Sequence, residues 1–99
     1  MDEMKSEISP DENLVALAKK GDLAAFERLI HRYEKQVFRM AWQMTENQHT
    51  AEDLAQETFV KAFQNLVTFD SGKGQFSTWL FTIARNLCRN VYRNRVQFS

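Results

Sequence analysis

Residues 76–95 read FSTWLFTIARNLCRNVYRNR. Trp79, Leu80, Ile83, Ala84, Leu87, Cys88 and Val91 recur at steps of three and four, the spacing of one buried helical face. Ser77 is placed to cap this helix, with Phe76 stapling against Leu80. On the other side Arg85, Arg89 and Arg93 lie four apart and line one ridge, with Thr82, Asn86 and Asn90 beside it. From Thr82 to Arg95 there are four arginines, three asparagines and no acid. Like charges at this spacing repel by about 0.2–0.5 kcal/mol per pair. The helix macrodipole accounts for Arg93 and in part for Arg89, but not for the lack of acids from Ser71 to Ser99. A solvated basic face is one reading of the ridge. The preferred one is a phosphate-contacting surface whose asparagines meet base edges. Phe76, Phe81 and Tyr92 are available to stack on unpaired bases, Phe76 with a rival role in the core.

Upstream of this helix, TFDSGKGQ (68–75) cannot continue a helix, since two glycines sit among small polar residues. The segment before it is helical again. Thr50 is read as its cap, with Asp53 three residues on. Leu54, Ala55, Thr58, Phe59, Ala62, Phe63 and Leu66 form its inner face, and Glu52, Asp53, Gln56, Glu57 and Lys61 its outer one. A longer helix precedes it, capped by Asp22. Its buried stripe is Phe26, Leu29, Ile30, Tyr33, Val37, Met40, Ala41 and Met44, widened by Phe38 and Trp42. A first helix begins at a capping box of Ser9 and Glu12 around Pro10, runs through Leu14, Leu17 and Ala18, and stops near Gly21. The expected fold is all-α, a small bundle of about four helices with a core over about residues 10–95 of one domain.

Composition removes several classes. The formal net charge of +0 hides a split: 12 acids against 7 bases up to Val60, then 6 bases against Asp70 alone. Such asymmetry suggests two faces for two kinds of partner, one of them a polyanion. No apolar run reaches the about 18 residues of a membrane span, and no signal peptide is read at the start, so membrane insertion is not expected. The lone Cys88 fits a reducing, cytoplasmic setting. His31 and His49 lack neighbours at metal-ligand spacing, and Cys88 reads as an inert core thiol. DSGKGQ is no Walker loop. Asp53 and Glu57 stand four apart without a second set of catalytic groups. No active site, metal or cofactor is read.

AEDLAQETFVKAFQNL (51–66) followed by FSTWLFTIARNLCRNVYR (76–93) resembles region 2 of bacterial sigma factors, the subunits that direct RNA polymerase to promoters. The short loop and the form of FSTWLFTIARN point to the extracytoplasmic-function group, and KKGDLAAFERLIHRYEKQVFRMA (19–41) extends the likeness. The resemblance implies that Asp53, Gln56 and Glu57, in the family's D-x-x-Q-E pattern, bind the clamp coiled coil of the polymerase largest subunit. Leu54 and Phe59 would add apolar contact, Phe59 being equally a core candidate. It implies that Phe69, Asp70, Ser71, Gly72, Lys73, Gly74 and Gln75 shape a pocket for a base flipped from the non-template strand of the promoter −10 element. Asn86 would then sit at the position that reads bases, and Arg85, Arg89 and Arg93 would hold phosphates, with Asn90 beside their ridge. An anti-sigma factor is a further implied partner. Thr82 and Ile83 replace the tryptophan pair with which primary sigma factors wedge the duplex. No second helix-turn-helix domain, of the kind that reads a −35 element, is read after Arg95. The alternative to this function is a general DNA-binding or protein-docking module without polymerase contact.

Overall fold

The computed structural model describes residues 11–98, with side chains through Val91 and at Arg93. Four helices follow one another: α1 (Asp11–Lys19), α2 (Leu23–Thr45), α3 (Gln48–Gln64) and α4 (Phe76–Phe98). A short 3-10 turn, Leu66–Thr68, follows α3, and no strand occurs among the described residues. The all-α bundle is as expected. The capping box of Ser9 and Pro10 lies outside the described residues.

The junctions explain the path of the chain. Gly21 adopts φ +104, a left-handed conformation that costs glycine least. Its N–H donates to Ala18 O and that of Asp22 to Leu17 O, each at 3.0 Å, which closes α1 in a Schellman arrangement. Asp22 then opens α2, accepting from Ala25 N–H at 3.2 Å, as expected. At the next junction Glu46 turns left-handed at φ 54. There the cap is Asn47 rather than Thr50: Asn47 Oδ1 accepts from Thr50 N–H at 2.9 Å. Thr50 supplies the amide that a cap satisfies, so the offset of three residues was read from the wrong end. The start of α4 shifts likewise. Trp79 N–H donates to Gln75 O at 3.2 Å, so Gln75 precedes the helix and Ser77 lies inside it. Phe76 is 3% exposed and serves the core as a helical residue.

The main core joins Val15 and Ala18 of α1, Phe26, Leu29 and Val37 of α2, Phe59 and Ala62 of α3, and Leu80 and Ala84 of α4, closed by Leu66, Phe69 and Phe76. A smaller cluster of Ala41, Ala51, Leu54 and Cys88 fills the other end. Burial raises the pKa of the Cys88 thiol, consistent with an inert core residue. Three apolar residues assigned to inner faces are on the surface: Trp42 at 42%, Met44 at 36% and Phe63 at 47% exposure. The nine residues of α1 reach about 14 Å, well under half the length of α2, and leave the far end of its apolar stripe uncovered.

One polar knot ties α1 to the rest. Asp11 is 4% exposed and pairs with Arg32 Nη1 at 2.6 Å, while the Tyr33 hydroxyl donates to its other oxygen. Burial, then the hydrogen bond and charge of Asp11, push the Tyr33 hydroxyl from 10.0 up to about 12, against smaller opposing effects of Arg32 and Ser77. A raised folded-state value stabilises the fold fully below pH 10, and that contribution disappears as the pH rises through about 12. Urea unfolding across that window is expected to show stability falling with pH, and Tyr33→Phe to remove part of the fall. Identical pH slopes in the two proteins would mean that the knot does not hold Tyr33 protonated.

Candidate functional site

Two faces gather the residues that the sequence singles out. On α3, Asp53, Gln56 and Glu57 are all exposed and lie within about one helical turn of one another, while Leu54 and Thr58 on the adjoining side are buried. His49 Nε2 stands 3.8 Å from Asp53 Oδ2, a fully solvated contact that matters little to stability. Gln56 lies at the rim of two open depressions between α2 and α3. One, of about 860 Å³, is lined by Lys35, Phe38, Arg39, Trp42 and Glu52 among others. The second, of about 640 Å³, is lined by Phe26, Ile30, Phe59, Val60 and Phe63. Leu54 is buried in the smaller core cluster and offers this face nothing, contrary to the expectation from the sequence. Phe59 is core too and contributes only at the wall of the second depression. The apolar side chains that do stand on this face are Val60 and Phe63, 53% and 47% exposed. Periodicity placed Phe63 on the inner face, because a surface apolar residue can keep the spacing of a core one, and it left Val60 unassigned.

On α4, Arg85, Asn86, Arg89, Asn90 and Arg93 are all exposed. None of the three arginines has an ion-pair partner among the described residues. The positive ridge is therefore uncompensated, as the spacing predicts. Phe81 is half-buried and packs edge-on against Tyr33, with ring centroids 6.0 Å apart. Phe76 belongs to the core, and the side chain of Tyr92 lies outside the description.

The loop between the faces is held from both sides. Asp70 Oδ1 accepts from Gly72 N–H at 2.9 Å, and Lys73 N–H donates to Asp70 O at 3.0 Å, a side-chain-stabilised turn. A Cβ on Gly72 would sit 3.2 Å from Asp70 Oδ1, so glycine suits this close approach. Lys19 Nζ donates to Phe69 O at 2.7 Å and pins the start of the loop to α1. A cavity of about 290 Å³ opens between them, lined by Phe69, Ser71, Gly74, Gln75 and Phe76 and, from α1, by Asp11, Glu12 and Val15. Asp70, Gly72 and Lys73, expected in such a pocket, do not line it; they build the turn behind it. The rings of Phe69 and Phe76 meet edge to face at 5.8 Å, and Trp79 backs Phe69 at 5.1 Å. The α1 wall was not legible, because its residues lie about sixty positions from the loop. Among the described residues no group of three or more His, Cys, Asp or Glu side chains could hold a metal ion, and no helix is long and apolar enough to cross a membrane.

Against known proteins, residues 29–97 match the family described as Sigma-70 region 2. The chain is 44% identical over 77 residues to the ECF RNA polymerase sigma factor SigW of Bacillus subtilis (strain 168), covering 78% of this chain and 41% of that protein. It is 38% identical over 81 residues to the ECF RNA polymerase sigma factor BldN of Streptomyces coelicolor, covering 82% of this chain and 31% of that one. The chain thus spans about two fifths or less of the length of these relatives. Among solved structures, an engineered region 2 of sigmaE in complex with GTAAAA matches with a TM-score of 0.79 at 34% identity, over 88% of this chain and 90% of that one.

Proposed function

Because this chain belongs to the Sigma-70 region 2 family, with relatives among the ECF sigma factors, we propose that it is a transcription initiation domain. It binds the clamp coiled coil of RNA polymerase through α3, and it captures non-template-strand bases of a promoter −10 element with α4 and the preceding loop. The region 2 unit occupies about residues 10–95, and it works in the cytoplasm, where polymerase and promoter are. It carries out no chemistry of its own. An anti-sigma factor would silence it by covering these same faces. On its own the domain binds promoter DNA weakly and does not initiate transcription efficiently.

The observation that carries this reading is the exposed, unpaired ridge of Arg85, Arg89 and Arg93 with Asn86 and Asn90 beside it. Steps of four residues put the arginines about 6 Å apart along the axis, a run of cations that follows a phosphate backbone. The asparagines supply paired donors and acceptors for base edges. The relative solved with GTAAAA supports the choice of a short single strand as the ligand. The second reading, a plain DNA-binding module, leaves the outward Gln56, which lines two depressions, and the exposed Glu57 without a use.

Binding of labelled GTAAAA and scrambled hexamers, followed by fluorescence anisotropy at several salt concentrations, tests the assignment. Arg89→Ala is expected to weaken every sequence and to lower the salt slope by about 0.7. Asn86→Ala is expected to reduce discrimination among bases by about fivefold or more while the salt slope holds. Equal losses on all sequences from both variants would remove Asn86 from base reading. A folded wild-type chain that binds none of the hexamers would remove the promoter assignment.

A further inference from the structure

The loop before α4 leaves the bundle at Phe69, and two different elements hold that residue. Its ring is packed by α4, against Phe76 at 5.8 Å and Trp79 at 5.1 Å. Its carbonyl is held by α1: Lys19 Nζ donates to Phe69 O at 2.7 Å, across 50 positions of sequence. Phe69 is 5% exposed, and among the described residues no backbone N–H donates to this oxygen. A buried carbonyl without a partner is costly, and a hydrogen bond from a charged donor is of the stronger kind. Lys19 is the group that satisfies it.

The two contacts do different things. The ring contacts fix where the Phe69 side chain lies but leave the peptide that follows free to rotate about ψ. The lysine fixes that peptide plane, and so the direction in which Asp70 sets out. Asp70 carries the turn: its Oδ1 accepts from Gly72 N–H at 2.9 Å and its carbonyl from Lys73 N–H at 3.0 Å. A tilt of that one plane is carried through the whole turn to Ser71, Gly74 and Gln75 at the cavity. At its other end α1 is anchored to α2, where Asp11 pairs with Arg32 and Tyr33. Its nine residues thus form a strut between α2 and the loop. The packing of α1 does not need the lysine, since Val15 and Ala18 supply its core contacts and Lys19 is an exposed residue.

We propose that Lys19 is a positioning residue for DNA recognition: through the Phe69 carbonyl it sets residues 70–75 in one arrangement, without itself touching DNA. The inference rests on the promoter-binding reading above and gives α1, outside the loop and α4, part of the control over sequence discrimination.

Two measurements on the full 99-residue chain separate the brace from the DNA reading. Amide hydrogen exchange without DNA follows Gly72 and Lys73, whose N–H groups close the turn. Affinities for GTAAAA and its single-base variants follow discrimination. Both are made at a temperature where circular dichroism shows wild type, Lys19→Met and Lys19→Arg folded. Lys19→Met keeps the apolar stem and loses the donor. It is expected to speed exchange at both amides by about fivefold or more, while amides in the middle of α2 and α4 hold. Its preference among the hexamers is expected to shrink by about threefold with the salt slope unchanged. Lys19→Arg, which keeps a cationic donor, retains most of both. A uniform loss for every hexamer, with the salt slope lower by about 0.7, would make Lys19 a phosphate contact, and the proposal falls. An unchanged preference overturns it whether or not exchange quickens, because the brace would then serve stability alone, and DNA binding stands. A smaller preference with exchange unchanged would mean that Lys19 meets a base directly, which overturns it as well. If the folded wild type binds no hexamer, the promoter-binding reading itself fails, and the role in recognition with it, whatever the exchange rates are.

Discussion

A Glu57→Lys variant is expected to lose at least about thirtyfold in affinity for an isolated polymerase clamp coiled coil, as measured by titration calorimetry. Glu57 is exposed in the middle of α3, so its carboxylate is available to cationic donors on a partner. Hydrogen bonds in which both groups are charged are worth about 1.5–3 kcal/mol each. Reversal removes them and sets two cations against each other. The fold has little reason to respond, since exposed substitutions on a helix usually shift stability by no more than about 0.5 kcal/mol. Gln56 and the neighbouring Val60 and Phe63 would still supply hydrogen bonds and apolar area, so the residual affinity reports what the charge alone contributes. Unchanged binding by a folded variant would take the clamp away from α3. A loss of hexamer binding in the same variant would mean that α3 and α4 share a ligand, contrary to the two-face reading.

How far the sequence foretold these faces depends on how local each feature is. The ridge of Arg85, Arg89 and Arg93 was legible because a helix converts a step of four into adjacency, with no reference to the rest of the chain. The caps were half-legible. Asp22 was identified, but at the next two helix starts Asn47 and Gln75 take the places given to Thr50 and Ser77. Several polar residues crowd each of those turns, and local pattern does not say which one precedes the first helical amide. The apolar stripe of α2 was right in direction and wrong in extent. Period reports which residues share a face, while Trp42 and Met44 are exposed because the neighbouring α1 is short. Asp11 was invisible as a structural residue, since its partners Arg32 and Tyr33 lie 21 and 22 positions away. The same distance effect hid the α1 wall of the cavity. Contacts within one element could be read; contacts between elements needed the fold.

Leu80→Ala is expected to cost about 3–5 kcal/mol of unfolding free energy, read by urea titration. Leu80 is fully buried in the main core, among residues drawn from all four helices. Close packing around it leaves little room for collapse into the space that truncation opens. A domain of this size has only about 5–15 kcal/mol in total, so the variant should melt more than about 10 °C below the wild type. The effect on function follows from helical geometry. Leu80 and Arg89 are nine residues apart, about two and a half turns, and so point to opposite sides of α4. The buried leucine thus sets the direction in which the arginine ridge faces. Hexamer affinity and clamp affinity should decline together as the folded fraction falls, with the salt slope unchanged, and both should recover when an osmolyte restores folding. Arg89→Ala should lower DNA affinity and its salt slope alone, and Glu57→Lys clamp affinity alone. A Leu80→Ala protein that melts within a few degrees of wild type would contradict the packing of α4 on the other three helices, and with it the separation of the two faces.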